Sequence, residues 1–367
     1  MRVFKKDIPF IELYNGLQKE VDAGNIWVRE DGDLRLYVYS DQCTYNRAWN
    51  EFSKMARGLI LDVANEGIIA RPFEKFFNYG EEQDIPIPNE PFEAYEKVDG
   101  SMGTLYSYKG QWRVATKGSF NSPQAQWAQN FLDTKVRKEC LSHAFTYVLE
   151  IVYPEDRKVV DYGKEKFFSL LSVFQTQLGY ELPSKYVDNI AKEMGIKRPT
   201  YYSFNSLDDI LKSVETLPKD MEGYVVKFNS GYRLKIKGKE YLRLFKILSS
   251  TSPLSIWEGL MTDKDVEKDL NELNLPEDFL KEQLKTVDIM KGKFQKFLSD
   301  IEVLHEKYKD LSDKEMGTQL KDLMTIENNP AMNYLFTRRK KNFDPIKNKR
   351  LRENIFNEFR PTGNILE

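Results

Sequence analysis

Short apolar runs of strand length recur through the first 245 residues of the chain and then stop. Leu34–Tyr39, Tyr147–Val152 and Phe167–Phe174 are rich in β-branched and aromatic residues and have the length of buried strands. Beyond residue 245, apolar residues recur instead at three- and four-residue spacing, as on an amphipathic helix. The pattern predicts an α+β fold, with antiparallel sheets and flanking helices over residues 1–245 and an all-α C-terminal domain over residues 246–367.

Several expected elements have recognisable ends. A helix over Pro9–Val21 begins with a proline, which suits a first helical turn, and a loop is expected to follow up to residue 30. Ser122 precedes a proline and is the expected N-cap of a helix that runs to about residue 140. The apolar stripe from Leu280 to Tyr308 predicts one long helix, and Ser312 with Glu315 forms a capping box for the next.

The stretch Glu96–Gly103 contains a lysine two residues before an acid and a glycine, between two strand-like runs. We expect Phe92–Val98 and Thr104–Tyr108 to form a hairpin around Lys97, with Gly100 letting the backbone approach a ligand closely. A lysine attacks as a nucleophile only when it is neutral. Reactivity near neutral pH therefore requires its pKa to fall by roughly two to three units from about 10.4.

The chain holds only two cysteines, Cys43 and Cys140, and only two histidines, His143 and His305. A disulfide framework or a structural zinc site is therefore not expected, and any chemistry falls to Lys, Arg, Asp and Glu. Cysteine usage fits a reducing cytoplasm, and the chain has no apolar run of membrane-spanning length. We expect a cytoplasmic protein with no membrane partner.

A basic run extends from Arg338 to Arg352, with eight basic residues against the single acid Asp344. Most charge runs are solvated helix faces. This run could also contact a nucleic-acid backbone, since Phe336, Phe343 and Phe356 are interleaved with the charges. The sequence favours neither interpretation over the other.

A set of charged residues lies at the ends of apolar strands or within them. Its members are Arg57, Lys75, Lys97, Glu150, Glu222, Lys235 and Lys237. Buried charges are costly unless they are paired or bind a ligand. Salt bridges at strand ends could explain any one of them, but would not predict two lone glutamates and a Lys-x-Lys pair in this order.

In this order the motifs resemble those of the covalent nucleotidyltransferases, which are the ATP-dependent DNA and RNA ligases and the messenger-RNA capping enzymes. The similarity is closest to the bacteriophage RNA ligase 1 family and covers about residues 30–245. The motifs that carry it are Ala-Arg-Gly at 56–58, Glu-Lys-Phe-Phe-Asn at 74–78, Lys-Val-Asp-Gly at 97–100, Lys-Gly-Ser at 117–119, Glu-Gly-Tyr-Val at 222–225 and Lys-Ile-Lys at 235–237. The resemblance implies a nucleotidyltransferase domain over residues 1–245.

The resemblance also implies a role for each matching residue. Lys97 would become adenylylated by ATP, with pyrophosphate as the leaving group. The residues implied in nucleotide binding are Tyr39, Arg57, Lys75, Lys97, Glu150, Val225, Lys235 and Lys237. Those implied as ligands of Mg²⁺ or Mn²⁺ are Glu150, Glu222 and Asp265. Those implied in the chemistry are Lys97, Lys117, Glu222, Lys235 and Lys237, and the other matched positions are Asp99, Gly100 and Tyr241.

The implied substrate is RNA with 5′-phosphate and 3′-hydroxyl ends, with nicked transfer RNA as a candidate and an end-healing kinase–phosphatase as functional companion. We expect the lysines near the nucleophile (Lys75, Lys117, Lys235 and Lys237) to lower the pKa of Lys97 by like-charge repulsion. Two alternatives are a DNA ligase or capping enzyme of the same superfamily and a non-catalytic RNA-binding protein. The first class carries an oligonucleotide-binding β-barrel where this chain has a helical pattern.

Overall fold

The structure is a computed structural model, and the chain divides into two compact units, Met1–Arg243 and Leu244–Glu367. It describes residues 8–82, 85–273, 277–324, 329–340 and 343–361. None of the described helices combines the length and the apolar character needed to cross a lipid bilayer.

Thirteen strands lie in the described part of the first unit. In chain order they are β1 (Ile26–Asp31), β2 (Leu34–Tyr39), β3 (Arg57–Asp62), β4 (Gly67–Ala70), β5 (Phe77–Asn78), β6 (Phe92–Glu96), β7 (Ser101–Tyr108), β8 (Gln111–Thr116), β9 (Phe145–Val152), β10 (Phe167–Gln175), β11 (Tyr201–Tyr202), β12 (Gly223–Phe228) and β13 (Arg233–Lys237). They form a first sheet in the order β1-β2-β3-β4, a second sheet β10-β9-β7-β8 and a third sheet β11-β6-β12-β13-β5. All neighbours are antiparallel except β13 and β5, which confirms the prediction of antiparallel sheets.

The helices flank these sheets and continue into the second unit. They are α1 (Phe10–Asp22), α2 (Asp41–Tyr45), α3 (Glu51–Met55), α4 (Pro123–Lys135), α5 (Ser184–Met194), α6 (Leu207–Ser213), α7 (Lys239–Ser250), α8 (Pro253–Met261), α9 (Val266–Glu272), α10 (Glu277–Tyr308), α11 (Asp313–Met324), α12 (Leu335–Arg338) and α13 (Lys349–Asn357), with 3-10 turns at Pro154–Asp156 and Pro330–Tyr334. Every element in the described part of the second unit is helical.

Several local predictions are confirmed. The long helix expected from Leu280 to Tyr308 is α10, and the Ser312–Glu315 capping box is formed, with the Glu315 amide donating to Ser312 Oγ at 3.3 Å. Ser122 caps α4 by accepting a hydrogen bond from the Ala125 amide. The loop expected before residue 30 is wrong, since Ile26–Asp31 forms β1 and pairs with β2. The second half of β1, Arg29–Asp31, is charged, so the sequence lacks the apolar run that would have indicated a strand.

The period of two along β12 and β13 separates a core face from a charged face. Leu234 and Ile236 are buried and pack with Val226 against α6. Lys235 and Lys237 alternate with them and are only partly buried, because neighbouring strand residues point to opposite faces. The strand therefore presents a row of cations on one side.

The hairpin predicted around Lys97 is wrong. β6 pairs with β11 and β12 in the third sheet, whereas β7 pairs with β8 and β9 in the second. Residues 97–100 therefore cross from one sheet to the other. Two adjacent strand patterns predict a hairpin by proximity in sequence, but here β6 pairs with the distant strands β11 and β12, and β7 forms its hairpin with the next strand, β8, instead.

Candidate active site

Lys97 lies in the crossover between the third and second sheets. Its backbone amide donates to the carbonyl oxygen of Gly223 at 2.8 Å, which ties it to the start of β12. Two residues later, the Asp99 carboxylate accepts hydrogen bonds from the amides of Val159 and Val160, both at 2.9 Å. The crossover is anchored at Lys97 and again two residues later, so the lysine side chain extends from a fixed backbone.

The motif Lys-x-Asp-Gly also serves packing. The Tyr241 hydroxyl donates to the other oxygen of the buried Asp99 carboxylate at 3.0 Å. A Cβ on Gly100 would lie 2.4 Å from the carbonyl oxygen of Ile151, and one on Gly103 would lie 2.8 Å from the Ile151 side chain. The nearest neighbours of these glycines are atoms of β9, so the absence of a side chain at both positions allows β9 to pack closely against the crossover and β7.

The Glu222 carboxylate bridges two of the predicted lysines. Lys97 Nζ donates to Glu222 Oε2 at 2.6 Å, and Lys237 Nζ lies 3.0 Å from Glu222 Oε1. The glutamate side chain is 2% exposed, whereas the two lysines are 21% and 19% exposed. A buried anion thus holds two ammonium groups, one of them on the predicted nucleophile.

The pKa of Lys97 is raised above its ordinary value. Burial by itself lowers this pKa, but the attraction of Glu222 and Glu150 outweighs burial. The prediction that neighbouring lysines lower the pKa of Lys97 is therefore wrong, because carboxylates dominate the surroundings of its amine.

Lys235 differs from Lys97 in having a lowered pKa, which falls to about 6. Burial is the main cause, and the positive charges of Arg57, Lys75 and Lys97 add to it. Lys235 Nζ lies 4.7 Å from the centroid of the Phe76 ring. At neutral pH Lys235 is mostly uncharged, so an anion bound beside it would favour uptake of a proton.

Glu150 lies within β9 and faces the same side as Val148 and Val152, which pack in apolar clusters. The pKa of Glu150 is raised to about 7, mainly by burial; the charge of Lys97 opposes this rise and that of Glu222 adds to it. This carboxyl group is therefore poised to change its charge near neutral pH when a cation arrives.

The other two predicted lysines, Lys75 and Lys117, lie next to aromatic rings. Lys75 Nζ lies 4.8 Å from the ring centroid of Phe77 and 5.1 Å from that of Trp49. Lys117 Nζ lies 4.7 Å from the centroid of Tyr39. Burial raises the pKa of the Tyr39 hydroxyl, but Lys117 and other nearby cations outweigh burial, and the net pKa is lowered. Cation–π contacts of this kind hold ammonium groups in place without neutralising their charge.

A cleft of about 610 Å³ lies among these residues. Its lining includes the predicted residues Arg57, Lys97, Gly100, Lys117, Glu150, Val225 and Lys235. It also includes charged residues that the sequence analysis did not single out, namely Glu181, Arg198, Lys227 and Arg233. The period of two could have indicated two of them, because Lys227 follows Val225 and Arg233 precedes Lys235 on the same strand face.

Asp265 lies in the second unit, where its exposed carboxylate caps α9 by accepting a hydrogen bond from the Lys268 amide at 3.1 Å. No group of three or more His, Cys, Asp or Glu side chains suited to a metal ion occurs among the described residues. The proposed ligand set of Glu150, Glu222 and Asp265 stays a prediction.

The basic run in the second unit contains two kinds of residue. Arg338 pairs with Glu302 at 2.5 Å, and Arg339 donates to the carbonyl oxygens of Tyr308 and Leu311, both at 2.7 Å, where α10 ends. Both arginines therefore have partners within the second unit. Other basic residues of the run are exposed, namely Lys340, Lys347, Lys349 and Arg350, while Lys341 lies outside the described residues.

Residues 55–241 match the family model of RNA ligases. The RNA ligase of Rhodothermus phage RM378 is 24% identical over 310 residues, covering 65% of this chain and 70% of the relative. A putative bifunctional polynucleotide kinase/RNA ligase of Autographa californica nuclear polyhedrosis virus is 27% identical over 218 residues, covering 52% of this chain and 30% of the relative. RNA ligase 1 of bacteriophage TS2126 is 28% identical over 166 residues.

The chain spans 40% of the length of the TS2126 enzyme, and that match covers 39% of this chain. Among solved structures, an archaeal ATP-dependent RNA ligase is similar with a TM-score of 0.48 and 12% identity, over 79% of this chain and 83% of that one. The family match covers more than half of this chain and includes every predicted site residue except Tyr39 and Asp265. On that match, the chain belongs to the RNA ligase family represented by the bacteriophage RNA ligase 1 enzymes.

Proposed function

We propose that this chain uses ATP to join RNA 5′-phosphate and 3′-hydroxyl ends through a lysyl-adenylate and an RNA-adenylate. The observation that carries the proposal is the contact of Lys97 with Glu222 beside a cleft that several other cations line. Transfer of a nucleotidyl group needs a positioned nucleophile and cations around the phosphates, and this site offers both. A binding protein that only clamps phosphates has no use for a buried carboxylate on one of its lysines.

In the first step the neutral Lys97 amine attacks the α-phosphorus of ATP. A nitrogen–phosphorus bond forms while the bond from that phosphorus to the bridging oxygen breaks, and pyrophosphate leaves. Lys97 must first lose its ammonium proton, and the Glu222 carboxylate, 2.6 Å away, is within reach to accept it. Lys235, by gaining a proton, and Lys237 would offset the charge of the phosphates.

The carboxylate of Glu150 fits a divalent cation that arrives with the nucleotide, whereas both oxygens of Glu222 are held by Lys97 and Lys237, so Glu222 as a metal ligand stays a prediction. Mg²⁺ commonly binds through one or two carboxylates and the phosphates of a substrate, with water completing its shell. The raised pKa of Glu150 fits this role, since a nearby cation would favour its ionised form. When bound, Mg²⁺ or Mn²⁺ would neutralise phosphate charge.

We assign the later steps to the same cleft. AMP would pass from Lys97 to an RNA 5′-phosphate, forming a 5′-to-5′ phosphoanhydride, and an RNA 3′-hydroxyl would then attack that phosphate and release AMP. Lys117, which lines the cleft beside Tyr39, is the residue that we assign to these steps. Val225 and Arg57 would contact the nucleotide from two different sheets.

We further propose that residues 1–245 act as the nucleotidyltransferase domain and that the helical residues 246–367 read the shape of the RNA, with nicked transfer RNA as the candidate substrate. Structured RNA is recognised largely by shape and phosphate contacts, which suits helices with exposed cations. The baculovirus relative is described as a bifunctional polynucleotide kinase/RNA ligase, and this supports an end-healing companion for the present chain.

Intact mass spectrometry after incubation with ATP and Mg²⁺ tests the proposal. We expect one AMP adduct per chain, lost in both Lys97→Ala and Lys97→Arg, because a guanidinium stays protonated and cannot attack. GTP in place of ATP distinguishes a capping enzyme, and nicked DNA in place of RNA distinguishes a DNA ligase. An adduct that persists in Lys97→Ala contradicts the assignment of the nucleophile.

A further inference from the structure

We propose that Glu181 is a positioning residue that braces the second sheet against the third at the far end of the cleft and thereby sets the position of Lys235. This inference rests on the proposed function. The brace comprises Glu181 and Ser172 on one side and Lys227 and Arg233 on the other. Arg233 is four residues from Lys237 along β13, which places the brace roughly 13 Å from that end of the strand.

One carboxylate oxygen makes all the contacts of the brace. Lys227 Nζ lies 3.1 Å from Glu181 Oε1, the Arg233 guanidinium donates to the same oxygen, and Ser172 Oγ donates to it at 2.5 Å. The side chains of Glu181 and Arg233 are both 11% exposed, and all four residues line the cleft. These are partly desolvated contacts, which are stronger than exposed ion pairs.

Glu181 is fixed to the second sheet by its own backbone. After β10 the chain folds back on that strand, with the Gln175 amide donating to Tyr180 at 2.7 Å and the Leu182 amide donating to Val173 at 2.8 Å. Phe174 and Glu181 form an antiparallel bridge. The Glu181 carboxylate is therefore fixed to the second sheet, and it moves only when that sheet moves.

Lys227 and Arg233 are directly opposite each other on β12 and β13 of the third sheet. Two like charges at opposed positions destabilise a sheet unless an anion lies between them. Arg233 and Lys227 lower the pKa of Glu181 to about 2 against the effect of burial, so the anion is present at any physiological pH. The third sheet thus needs a carboxylate at this point, and the second sheet provides one.

A second line of contacts connects the brace to Lys235. The Arg233 guanidinium lies 4.7 Å from the ring centroid of Phe73, which packs edge-on against Phe174 at 5.4 Å. Phe73 also packs edge-on against Phe76, whose ring lies 4.7 Å from the ammonium group of Lys235. Since Arg233 and Lys235 share one face of β13, a shift at the brace would be transmitted to Lys235.

The test uses the full chain with Glu181→Ala, measuring the rate of self-adenylylation against ATP concentration. We expect the half-saturating ATP concentration to rise about tenfold and the maximal rate to fall less than about threefold, as for lost binding energy rather than lost chemistry. Glu181→Gln, which keeps an acceptor oxygen, should have an intermediate effect. Asp133→Asn, which removes an exposed partner of Lys138, is the matched control and should leave both constants unchanged.

A double variant separates bracing from charge balance. Glu181→Ala with Lys227→Met restores the net charge of the group, yet it still lacks the contact between sheets, so the half-saturating concentration should remain raised. Recovery of the wild-type value in this double variant would show that Glu181 only balances charge and would overturn the brace. Wild-type constants in Glu181→Ala would overturn it too.

Two further measurements make the outcome independent of activity and folding. Calorimetric binding of a non-hydrolysable ATP analogue to Glu181→Ala should weaken by the same factor, and unchanged binding contradicts the proposal. If that variant does not fold, Ser172→Ala removes a single hydrogen bond and should produce a smaller rise in the same constant. A wild-type chain that forms no AMP adduct refutes the proposed function itself. The brace is refuted only when the wild-type chain is active and the Glu181 variants behave like it.

Discussion

At the scale of single residues, Lys97 and Lys235 line one cleft, and their pKa values are shifted in opposite directions. Carboxylates lie next to Lys97 and raise its pKa, whereas burial among cations lowers that of Lys235 to about 6. The proposed nucleophile, Lys97, is therefore kept protonated by Glu222, and the neutral amine at neutral pH belongs to Lys235, which we assign to phosphate binding. The number of lysines in the sequence could not show which of the two has the lowered pKa, because neighbouring acids and burial decide the direction of each shift.

Trace acetylation followed by peptide mass spectrometry tests the pKa of Lys235. Only the neutral amine reacts, so the labelled fraction at Lys235 should rise with pH around a midpoint near 6. Free Nα-acetyl-lysine in the same tube should titrate near 10.4, the ordinary value. A midpoint near that of the free amino acid would contradict the effect of burial.

Lys235→Met should stabilise the fold while it abolishes adenylylation. The pKa of Lys235 is about 6 in the folded chain, against an ordinary value of 10.5 for the unfolded chain, so between these limits the unfolded chain binds more protons. Wild-type stability therefore rises with pH over this window. The variant lacks that rise, and at pH 7 its unfolding free energy should be about 1–3 kcal/mol higher.

Denaturant unfolding at pH 7 and near pH 10 measures the effect, with Lys285→Met on the exposed face of α10 as the control. The advantage of Lys235→Met over wild type should shrink toward the higher pH. A variant less stable than wild type at pH 7 would mean that the Lys235 ammonium contributes favourably to folding.

At the scale of elements, the crossover that carries Lys97 depends on the close approach of β9. Gly100→Ala places a Cβ 2.4 Å from the Ile151 carbonyl oxygen, and a backbone atom cannot move aside without disturbing its strand. Overpacking of this kind costs about 1–3 kcal/mol, and the displaced crossover should slow adenylylation as well.

Thermal melting and the rate of AMP adduct formation measure both effects of Gly100→Ala. The control is Gly292→Ala on α10, where a Cβ meets no atom within 4 Å and alanine favours the helix by about 1 kcal/mol. A Gly100→Ala chain with wild-type melting and rate would show that the two strands separate easily at this point.

At the scale of the whole molecule, the first unit contains the cleft that we assign to the nucleotide, and the second contains the exposed cations of the basic run. Reversing Lys347, Lys349 and Arg350 to glutamate should weaken RNA binding while leaving AMP adduct formation unchanged. Each lost phosphate contact on single-stranded RNA reduces the slope of log affinity against log salt by about 0.7. Three lost contacts should therefore lower it by about 2.

The matched control reverses three exposed lysines of the first unit, Lys164, Lys166 and Lys185. RNA affinity measured across a salt series compares the two triple variants with wild type. Equal slopes in all three chains would make the basic run a solvated helix face. Arg338→Glu belongs to a different class, since it breaks the pair with Glu302 and should lower the melting temperature of the second unit.

The sequence by itself determined the local features of this protein. Runs of apolar and aromatic residues predicted strands such as Leu34–Tyr39, and the three- and four-residue spacing of apolar residues predicted the long helix α10. The order of the charged motifs was enough to indicate the RNA ligase family, which the family match over residues 55–241 shows. Each of these features depends on residues close together in sequence or on the order of short motifs.

Only the tertiary structure decided how distant residues combine. Lys97 meets Glu222 across 125 residues, and Tyr241 meets Asp99 across 142. Such long-range contacts raise the pKa of Lys97 and place β6 and β7 in two different sheets. They also place the Glu181 carboxylate between two cations, Lys227 and Arg233. Periodicity assigns each side chain to a face of its own strand, but the free energy of a buried charge depends on what the facing strand presents to it.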